Sequence, residues 1–304
     1  MLFAKLNDLS IGGKGSYGIA ASAVERKADL PTYLRITDIF DDGTLNLSEL
    51  KSVDAPNSDK YILKPNDIVF ARTGGSTGRN YFYDGSDGVF VYAGFLIKFS
   101  IDPEKVNPKY VKYYCRSKQY NDWVQSFNTG STRGNINAQI FGNMEIPLPE
   151  RKQQDYLVSI LEPIDEKIRN NKQVNDNLLA QAQTLYKQFF PYGVQDDLPD
   201  GWRIGTVGEI IEIHDSKRIP LSGADRTKME KKIYPYYGAA SLMDFVDNYI
   251  FDGKYLLLGE DGTVVDDAGY PILQYVWGQF WVNNHAHILT GRLGYDVESL
   301  YMLF

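Results

Sequence analysis

The sequence predicts an α+β protein in which two α/β domains of related fold are joined by a long, coiled-coil-forming α-helix. The chain has 304 residues, which is enough for two domains with separate cores. Its middle carries a seam of mostly apolar positions spaced alternately by four and three residues. The segments on either side of that seam repeat the same order of motifs. We place the first domain at 1–150, the helix at 151–192 and the second domain at 193–304.

The two domains share a motif order that reads as strand, Gly-rich loop, Gly-hinged strand pair and helix. In the first copy the segments are YLRITDI, KPNDIVFARTGGSTGR, DGVFVYAGFLIKF and NPKYVKYYC. In the second copy they are YPYYGAA, DGKYLLLGEDGTVVDD, WGQFWVNNHAHIL and GYDVESLYMLF, and the last three lie about 190 residues after their counterparts. Asn107 followed by Pro108 predicts a helix N-terminus in the fourth segment. Beyond it, the Pro-bounded MEIPLP predicts a strand that closes the first domain.

The helix is predicted from a seam that is apolar except at its centre, where two asparagines stand. Asparagines at such positions fix the register of a coiled coil at some cost in stability. Pro163 predicts a kink or a fresh start early in the helix, and Pro191 marks its end. A single amphipathic helix lying on its own domain is the alternative. The seam positions are Leu157, Leu161, Ile164, Ile168, Asn171, Asn175, Leu178, Ala182, Leu185 and Phe189.

The composition indicates a folded protein without a strongly basic surface. Apolar residues make up 43% and charged residues 23% of the chain, and the formal net charge is −7. Residues 200–304 carry 9 basic and 15 acidic side chains. Nucleic-acid contacts would therefore need local patches or other subunits. The single cysteine excludes an intramolecular disulfide, and no apolar run reaches the roughly 20 residues that span a bilayer, so we predict a cytoplasmic protein.

Two Gly-rich motifs are typical of enzymes but have simpler interpretations. GGSTG at 74–78 matches the G-x-S-x-G nucleophile elbow of serine hydrolases, with Ser76 as nucleophile. All three histidines lie in the second half of the chain, and the second copy has Val264 near the position of Ser76. GGKGSYG has G-x-G-x-x-G spacing but lacks the preceding strand and following helix that dinucleotide binding needs. We interpret both as polar loops and predict no catalytic residue.

Metal and redox chemistry have little support in the sequence. His285 and His287 alternate along a predicted strand and could share a face, but no third ligand lies near them, so we predict no metal site. Cys115 stands in an aromatic helical pattern, which indicates a core position.

Polar and basic side chains on the loops remain as candidates for DNA binding. Arginine reads guanine edges, asparagine reads adenine, and serine, threonine and lysine hold phosphates. Ordinary solvated loops are the alternative interpretation. The candidates are Lys14, Ser16, Tyr17, Arg72, Thr73, Ser76, Thr77, Arg79, Ser131, Arg133, Asn135, Asn137, Lys217 and Arg218.

With these motifs in this order, the chain resembles the specificity subunit of type I restriction-modification systems. The matching segments are YLRITDI, LKPNDIVFARTGGSTG, AGFLIKF, NPKYVKYY and STRGNINAQIFGNMEIPLP. The helix from RKQQDYLVSILEPIDEKI to NLLAQAQTLYKQFF looks like the family's conserved spacer, and PDGWRIGTVGEI looks like the start of a second target recognition domain. The resemblance covers nearly the whole chain.

The resemblance implies a non-catalytic subunit that binds double-stranded DNA. Each recognition domain would read one half of a bipartite site, and the helix would set the spacing and dock methyltransferase subunits. A restriction motor-nuclease subunit would be a further partner. The chain itself would bind no cofactor, while its partners would use S-adenosylmethionine, ATP and Mg²⁺.

The second copy departs from the family pattern because it lacks counterparts of STRGNINAQIFG and of the long helix. We therefore expect no antiparallel helix pair within one chain, and three explanations stay open: a fragment, a silent cassette, or pairing with another copy through the seam. A serine hydrolase using GGSTG and a protein-interaction scaffold that binds no DNA are the competing functions. The DNA target itself is not encoded in any recognisable pattern.

Overall fold

A computed structural model of the chain describes residues 2–127, 134–193, 196–262, 264–265 and 269–304. The chain divides into a first unit, 1–170, and a second unit, 171–304. This division falls inside the long helix, so the three-part boundaries at 150 and 192 stay a prediction. In the described part of the chain, no helix is long and apolar enough to cross a membrane.

The first unit contains ten strands in its described residues. They are β1 (Phe3–Lys5), β2 (Ser16–Tyr17), β3 (Ala23–Val24), β4 (Thr32–Leu34), β5 (Lys51–Val53), β6 (Asp67–Ala71), β7 (Asn80–Tyr83), β8 (Phe90–Tyr92), β9 (Leu96–Ser100) and β10 (Glu145–Pro147). They form a sheet of order β2-β9-β6-β7, a second sheet of order β3-β5-β4-β8, and a pair of β1 with β10. The predicted Pro-bounded strand is therefore confirmed as β10, which closes the unit against its N-terminal strand.

Short helices pack on the first sheet. They are α1 (Pro108–Tyr114), α2 (Lys118–Gln125) and α3 (Ala138–Gly142), followed by the long α4 (Arg151–Phe189). The predicted N-terminus of α1 is confirmed, since the Asn107 side chain accepts a hydrogen bond from the Lys109 backbone and Pro108 occupies the first turn. Cys115 is 1% exposed, as expected of a core residue, and burial raises the pKa of its thiol.

Strand β6 is buried on both faces because it separates two cores. Ile68 and Phe70 point into one core, where Phe70 stacks on Phe141 with ring centroids 4.7 Å apart. Val69 and Ala71 point into the other. The end of this strand is consequently held rigidly, and the loop that leaves it starts from a fixed position.

The second unit has one main sheet of order β11-β16-β14-β15-β12-β13 in the part that the structure describes. Its strands are β11 (Ile211–Ile213), β12 (Tyr234–Tyr237), β13 (Leu242–Val246), β14 (Phe251–Gly259), β15 (Leu273–Val282) and β16 (Ala286–Gly291). Its helices are α5 (Val207–Ile210), α6 (Gly223–Thr227) and α7 (Val297–Leu303).

The predicted repeat is confirmed in the strand pairing. In the first unit β4 pairs in parallel with β8, and β6 pairs antiparallel with β9. In the second unit β12 pairs in parallel with β15, and β14 pairs antiparallel with β16. A short helix follows in each case, α1 after β9 and α7 after β16. The fold is thus α+β, with two related α/β units and one long helix.

The long helix α4 is confirmed. Of the two outcomes expected at Pro163, a kink or a fresh start, the fresh start is wrong. The helix runs through Pro163 without interruption. Packing of its flanks against the first unit explains this: Val158 is buried before the proline, and Lys112 donates a 2.7 Å hydrogen bond to Asp165 after it. These contacts offset the loss of one backbone hydrogen bond.

Most of the predicted seam lies exposed. Five of its residues, here called the exposed stripe, have exposed fractions between 52% and 69%. The exposed stripe consists of Ile164, Ile168, Leu178, Leu185 and Phe189. The alternative of a helix lying on its own domain through this face is therefore not what the structure shows. The helix instead contacts the first unit through Gln154, Val158 and Asp165.

Candidate nucleic-acid interface

An exposed cluster, here called the Arg72 surface, gathers five residues from four segments of the first unit. Tyr17 comes from β2, Arg72 and Thr73 follow β6, Phe95 lies in the turn between β8 and β9, and Asn135 precedes α3. Four of the five are among the residues predicted to bind DNA. Phe95 was not predicted, although an exposed aromatic residue in the AGFLIKF turn could have identified it.

The backbone of Arg72 is fixed from two sides. Its N–H donates to the Phe95 carbonyl at 3.1 Å, and its own carbonyl accepts from Ile136 at 2.9 Å. An antiparallel bridge between Thr73 and Asn135 continues the second contact. The side chain of Arg72 therefore leaves the chain from a defined position.

The guanidinium of Arg72 lies against two aromatic rings. Its Cζ is 5.3 Å from the ring centroid of Tyr17 and 6.0 Å from that of Phe95. Both rings are exposed, at 43% for Tyr17 and 56% for Phe95. Such cation–π contacts contribute about 0.5–1 kcal/mol each at exposed sites, so they restrict the orientation of the guanidinium.

Arg72 has no counter-charge of its own. Its Nε is buried and has no hydrogen-bond partner, and none of the described carboxylates pairs with the guanidinium. Arg79, on the same segment, differs: its Nε is 2.7 Å from Asp41 Oδ1 and its Nη1 donates to the Ile39 carbonyl. Arg72 is available to a ligand, whereas Arg79 holds a neighbouring loop.

Several other predicted residues are engaged inside the first unit. The Ser16 hydroxyl is 3.0 Å from the Tyr92 hydroxyl, whose pKa burial raises. Asn137 Oδ1 accepts from the Ile140 backbone at 2.9 Å and caps α3. Lys14 is exposed and Ser76 is half-buried. Ser131 and Arg133 lie outside the described residues, so their part in the surface stays a prediction.

The GGSTG segment forms a packed turn. The Thr77 hydroxyl donates to the carbonyls of Gly74 and Gly134, at 2.8 and 2.9 Å. Gly78 has φ +90°, and a Cβ there would lie 2.4 Å from Val124 Cγ1. Buried Tyr120 donates to the Gly78 carbonyl at 2.6 Å. These contacts account for Gly78 and Thr77 by packing, whereas a Cβ at Gly74 or Gly75 would meet nothing within 4 Å.

In the second unit, Arg218 is the centre of an internal ion-pair cluster. Its side chain is 16% exposed, with Nη1 2.6 Å from Glu260 Oε2 and Nη2 3.2 Å from Asp215 Oδ2. His287 Nδ1 is 2.6 Å from Asp215 Oδ2. Asp215, Glu260 and His287 have the spacing of metal ligands, but Arg218 already supplies their positive charge. Lys217 lies exposed beside the cluster.

The Arg72 surface and the Arg218 cluster occupy equivalent positions of the repeat. Ala71 is opposite Leu96 in the first unit, and Gly259 is opposite Ala286 in the second. The next residue in each unit, Arg72 or Glu260, donates its N–H to the residue just before the paired strand. That residue is Phe95 in the first unit and His285 in the second. The same backbone frame thus presents a cation between aromatic rings in one unit and a carboxylate in the other.

Comparisons with known proteins cover most of the chain. The family described as type I restriction modification DNA specificity domain matches residues 25–180 and 199–304. The specificity subunit of the type I restriction enzyme HindI of Haemophilus influenzae is 25% identical over 185 residues, covering 58% of this chain and 40% of the relative. The corresponding subunit of the Escherichia coli enzyme EcoprrI is 24% identical over 199 residues, covering 62% of this chain and 48% of the relative.

The chain thus spans less than half the length of these two relatives. Among solved structures, the S subunit of a type I restriction-modification system from M. genitalium has a similar fold. Its TM-score is 0.51 at 16% sequence identity, and the match covers 99% of this chain and 75% of that one.

Proposed function

The chain belongs to the type I restriction-modification DNA specificity family, and from this premise we propose that it is a sequence-specific DNA-binding specificity subunit. Each unit reads one half of a bipartite site, and the chain itself performs no catalysis. The observation that carries the proposal is the repeat: two units share one strand frame and present different side chains at the equivalent position. Such a pair suits the reading of two unlike half-sites.

The affinity for DNA has to come from local contacts, because the net charge of −7 does not favour the approach of a polyanion. Arg72 and the polar loop residues around it offer donors for bases and phosphates. Methyltransferase subunits docked on the units and on α4 add positive surface. A restriction motor-nuclease subunit completes the complex. We propose that these partners use S-adenosylmethionine, ATP and Mg²⁺, and that this chain binds none of them.

Helix α4 serves as the spacer between the two reading units. Its 39 residues at 1.5 Å each correspond to about 58 Å of helix. The exposed stripe, which Asn171 and Asn175 interrupt at its centre, is a docking face for a second helix of the same kind, because large apolar side chains at coiled-coil spacing pack against a partner helix. We propose that a second copy of the chain supplies that helix.

Methylation sequencing tests the proposal directly. The full chain is expressed with its methyltransferase subunits in a host without adenine methylation, and modified sites are mapped at single-molecule level. An asymmetric bipartite adenine motif supports two working units. A palindromic bipartite motif supports paired copies that read with the first unit alone. If the chain is soluble, the methyltransferase is present and no motif appears, the proposed function is wrong.

A further inference from the structure

We propose that Arg72 reads a guanine in the half-site bound by the first unit, and that Tyr17 and Phe95 are positioning residues that hold its guanidinium for this contact. The inference rests on the proposed DNA-binding function and deepens it. Its starting point is the conjunction of a fixed backbone, two flanking rings and an uncompensated charge at one exposed place.

The geometry of Arg72 suits a paired acceptor. A guanidinium presents N–H groups in a planar fork, and the two rings limit its rotation. Guanine offers two acceptors, O6 and N7, side by side in the major groove, and arginine across these atoms is the commonest specific contact. Less conformational freedom is then lost on binding, because the protein has already ordered the side chain.

The Nε of Arg72 is one of four buried side-chain polar atoms in the described residues that have no hydrogen-bond partner. Buried donors nearly always have a hydrogen-bond partner, yet this one has none among the described residues. The Nε atoms of Arg116 and Arg226 are also unpartnered, but those two guanidinium groups are ion-paired. Arg72 differs from them because no described carboxylate pairs with it.

A base is a better ligand for this site than a phosphate for two reasons. Phosphates are the same in both half-sites, so a phosphate contact would be basic in both units, whereas the equivalent of Arg72 is Glu260. Glu260 is ion-paired with Arg218 at 2.6 Å, so the equivalent position of the second unit offers no unpaired cation to a phosphate. In addition, the exposed rings of Tyr17 and Phe95 offer apolar surface suited to bases and thymine methyls.

The test maps methylation by the full chain with its methyltransferase on DNA with randomised half-sites. The variants are Arg72→Ala, Arg72→Lys, Phe95→Leu and the double variant Arg72→Ala/Phe95→Leu. Arg26→Ala and Phe40→Leu are matched controls: Arg26 bonds to Ser52 in the other sheet, and Phe40 is 42% exposed. Thermal melting of each variant checks that it folds.

We expect the wild-type motif to contain a guanine in one half-site. Arg72→Ala should lower discrimination at that single position by about tenfold to a hundredfold and leave every other position unchanged. Arg72→Lys should relax the same position, because lysine keeps the charge but loses the fork. Phe95→Leu should relax it less, and the double variant should be no worse than Arg72→Ala. The controls should keep the wild-type motif.

Three results would overturn the inference. One is a wild-type motif without guanine in the half-site that the first unit reads. Another is a uniform loss of methylation across all sites in Arg72→Ala, together with a slope of log DNA affinity against log salt concentration that falls by about one. That result indicates a phosphate contact. A third is an additive effect of Phe95→Leu on the Arg72→Ala background. In each case the wild type still yields a motif, so failure of the inference is distinguishable from failure of the proposed function, in which no motif appears at all.

Discussion

Arg72 and Arg79 lie on one short stretch of chain, yet their guanidinium groups have opposite surroundings. Arg79 is paired with Asp41, while Arg72 lies between two aromatic rings without a described carboxylate. The sequence predicted both as DNA-binding because both are arginines near glycines. The contacts of each side chain distinguish them: Arg79 holds a loop through Asp41, whereas Arg72 is available to bind a ligand.

Ser76 gives a prediction that separates the competing enzyme from the DNA-binding subunit. Ser76→Ala would abolish hydrolysis by a GGSTG nucleophile. For a DNA-binding residue the same change removes one hydroxyl, which alters or weakens recognition but leaves methylation measurable. Methylation sequencing and an ester-hydrolysis assay on the same preparation check both outcomes. Esterase activity that disappears in the variant would favour the hydrolase.

Gly18 gives a prediction about stability. A Cβ at this position would lie 2.3 Å from the backbone oxygens of both Tyr92 and Ala93, which a neighbouring strand cannot easily move. Gly18→Ala should therefore destabilise the protein by about 1–3 kcal/mol, measured by urea unfolding. Gly75→Ala, where the added Cβ meets nothing within 4 Å, should change little. Equal stability of the two variants would contradict the close approach.

At the scale of elements, α4 uses two different faces. The face that docks on the first unit buries Val158 and makes polar contacts. Gln154, 2% exposed, accepts from the Asn107 backbone, and Asp165 receives hydrogen bonds from Lys112 and Arg116. The apolar seam points elsewhere and stays exposed. A periodicity of apolar residues therefore identified an exposed apolar face, which we propose as an interaction face, but not the face that attaches the helix to its own unit.

Asp165 makes the helix attachment sensitive to pH. Burial alone would raise its pKa, but the hydrogen bond from Lys112 and the charges of Lys112 and Arg116 outweigh burial, and the pKa is lowered. The stabilisation is thus complete above the unfolded pKa of about 3.9 and is lost as the pH falls through the lower folded pKa. Asp165→Asn should cost about 1–2 kcal/mol at pH 7.

Urea unfolding as a function of pH checks this prediction. The stability difference between wild type and Asp165→Asn should disappear once the pH lies below the folded pKa. The exposed pair of Lys118 and Asp122 serves as the control, since Asp122→Asn should change stability by less than about 1 kcal/mol. A difference that persists unchanged at low pH would rule out the charge of Asp165 as its cause.

Ile168 tests the proposed pairing of helices. Ile168→Asp places a charge in the middle of the exposed stripe and should shift the chain from dimer to monomer, because an unpaired charge in an apolar contact is costly. Asn170→Asp adds the same charge at an exposed position outside the stripe and should leave the assembly unchanged. Light scattering at concentrations on the order of tens of micromolar measures both. A monomeric wild type would contradict self-association.

At the scale of the whole molecule, the two units are expected to act on separate half-sites. Arg72→Ala and Arg133→Ala both fall in the first unit, so each should change recognition in one half-site and spare the other. Arg133 lies outside the described residues, and its inclusion rests on the loop sequence alone. Methylation sequencing checks the pair. Changes in both half-sites of an asymmetric motif would mean that the assignment of one unit to one half-site is wrong.

The sequence by itself determined the repeat, the long helix and its apolar seam, because each depends on local periodicity or on motifs that recur along the chain. It also identified Arg72, Thr73 and Asn135 as candidates by residue type. The tertiary structure alone decided that Phe95 joins them, that Arg218 is internal, and that Glu260 is the counterpart of Arg72. Those relations arise from strand pairing between segments that are distant in the sequence. The spacing of residues along the chain does not predict which side chains such pairing brings together.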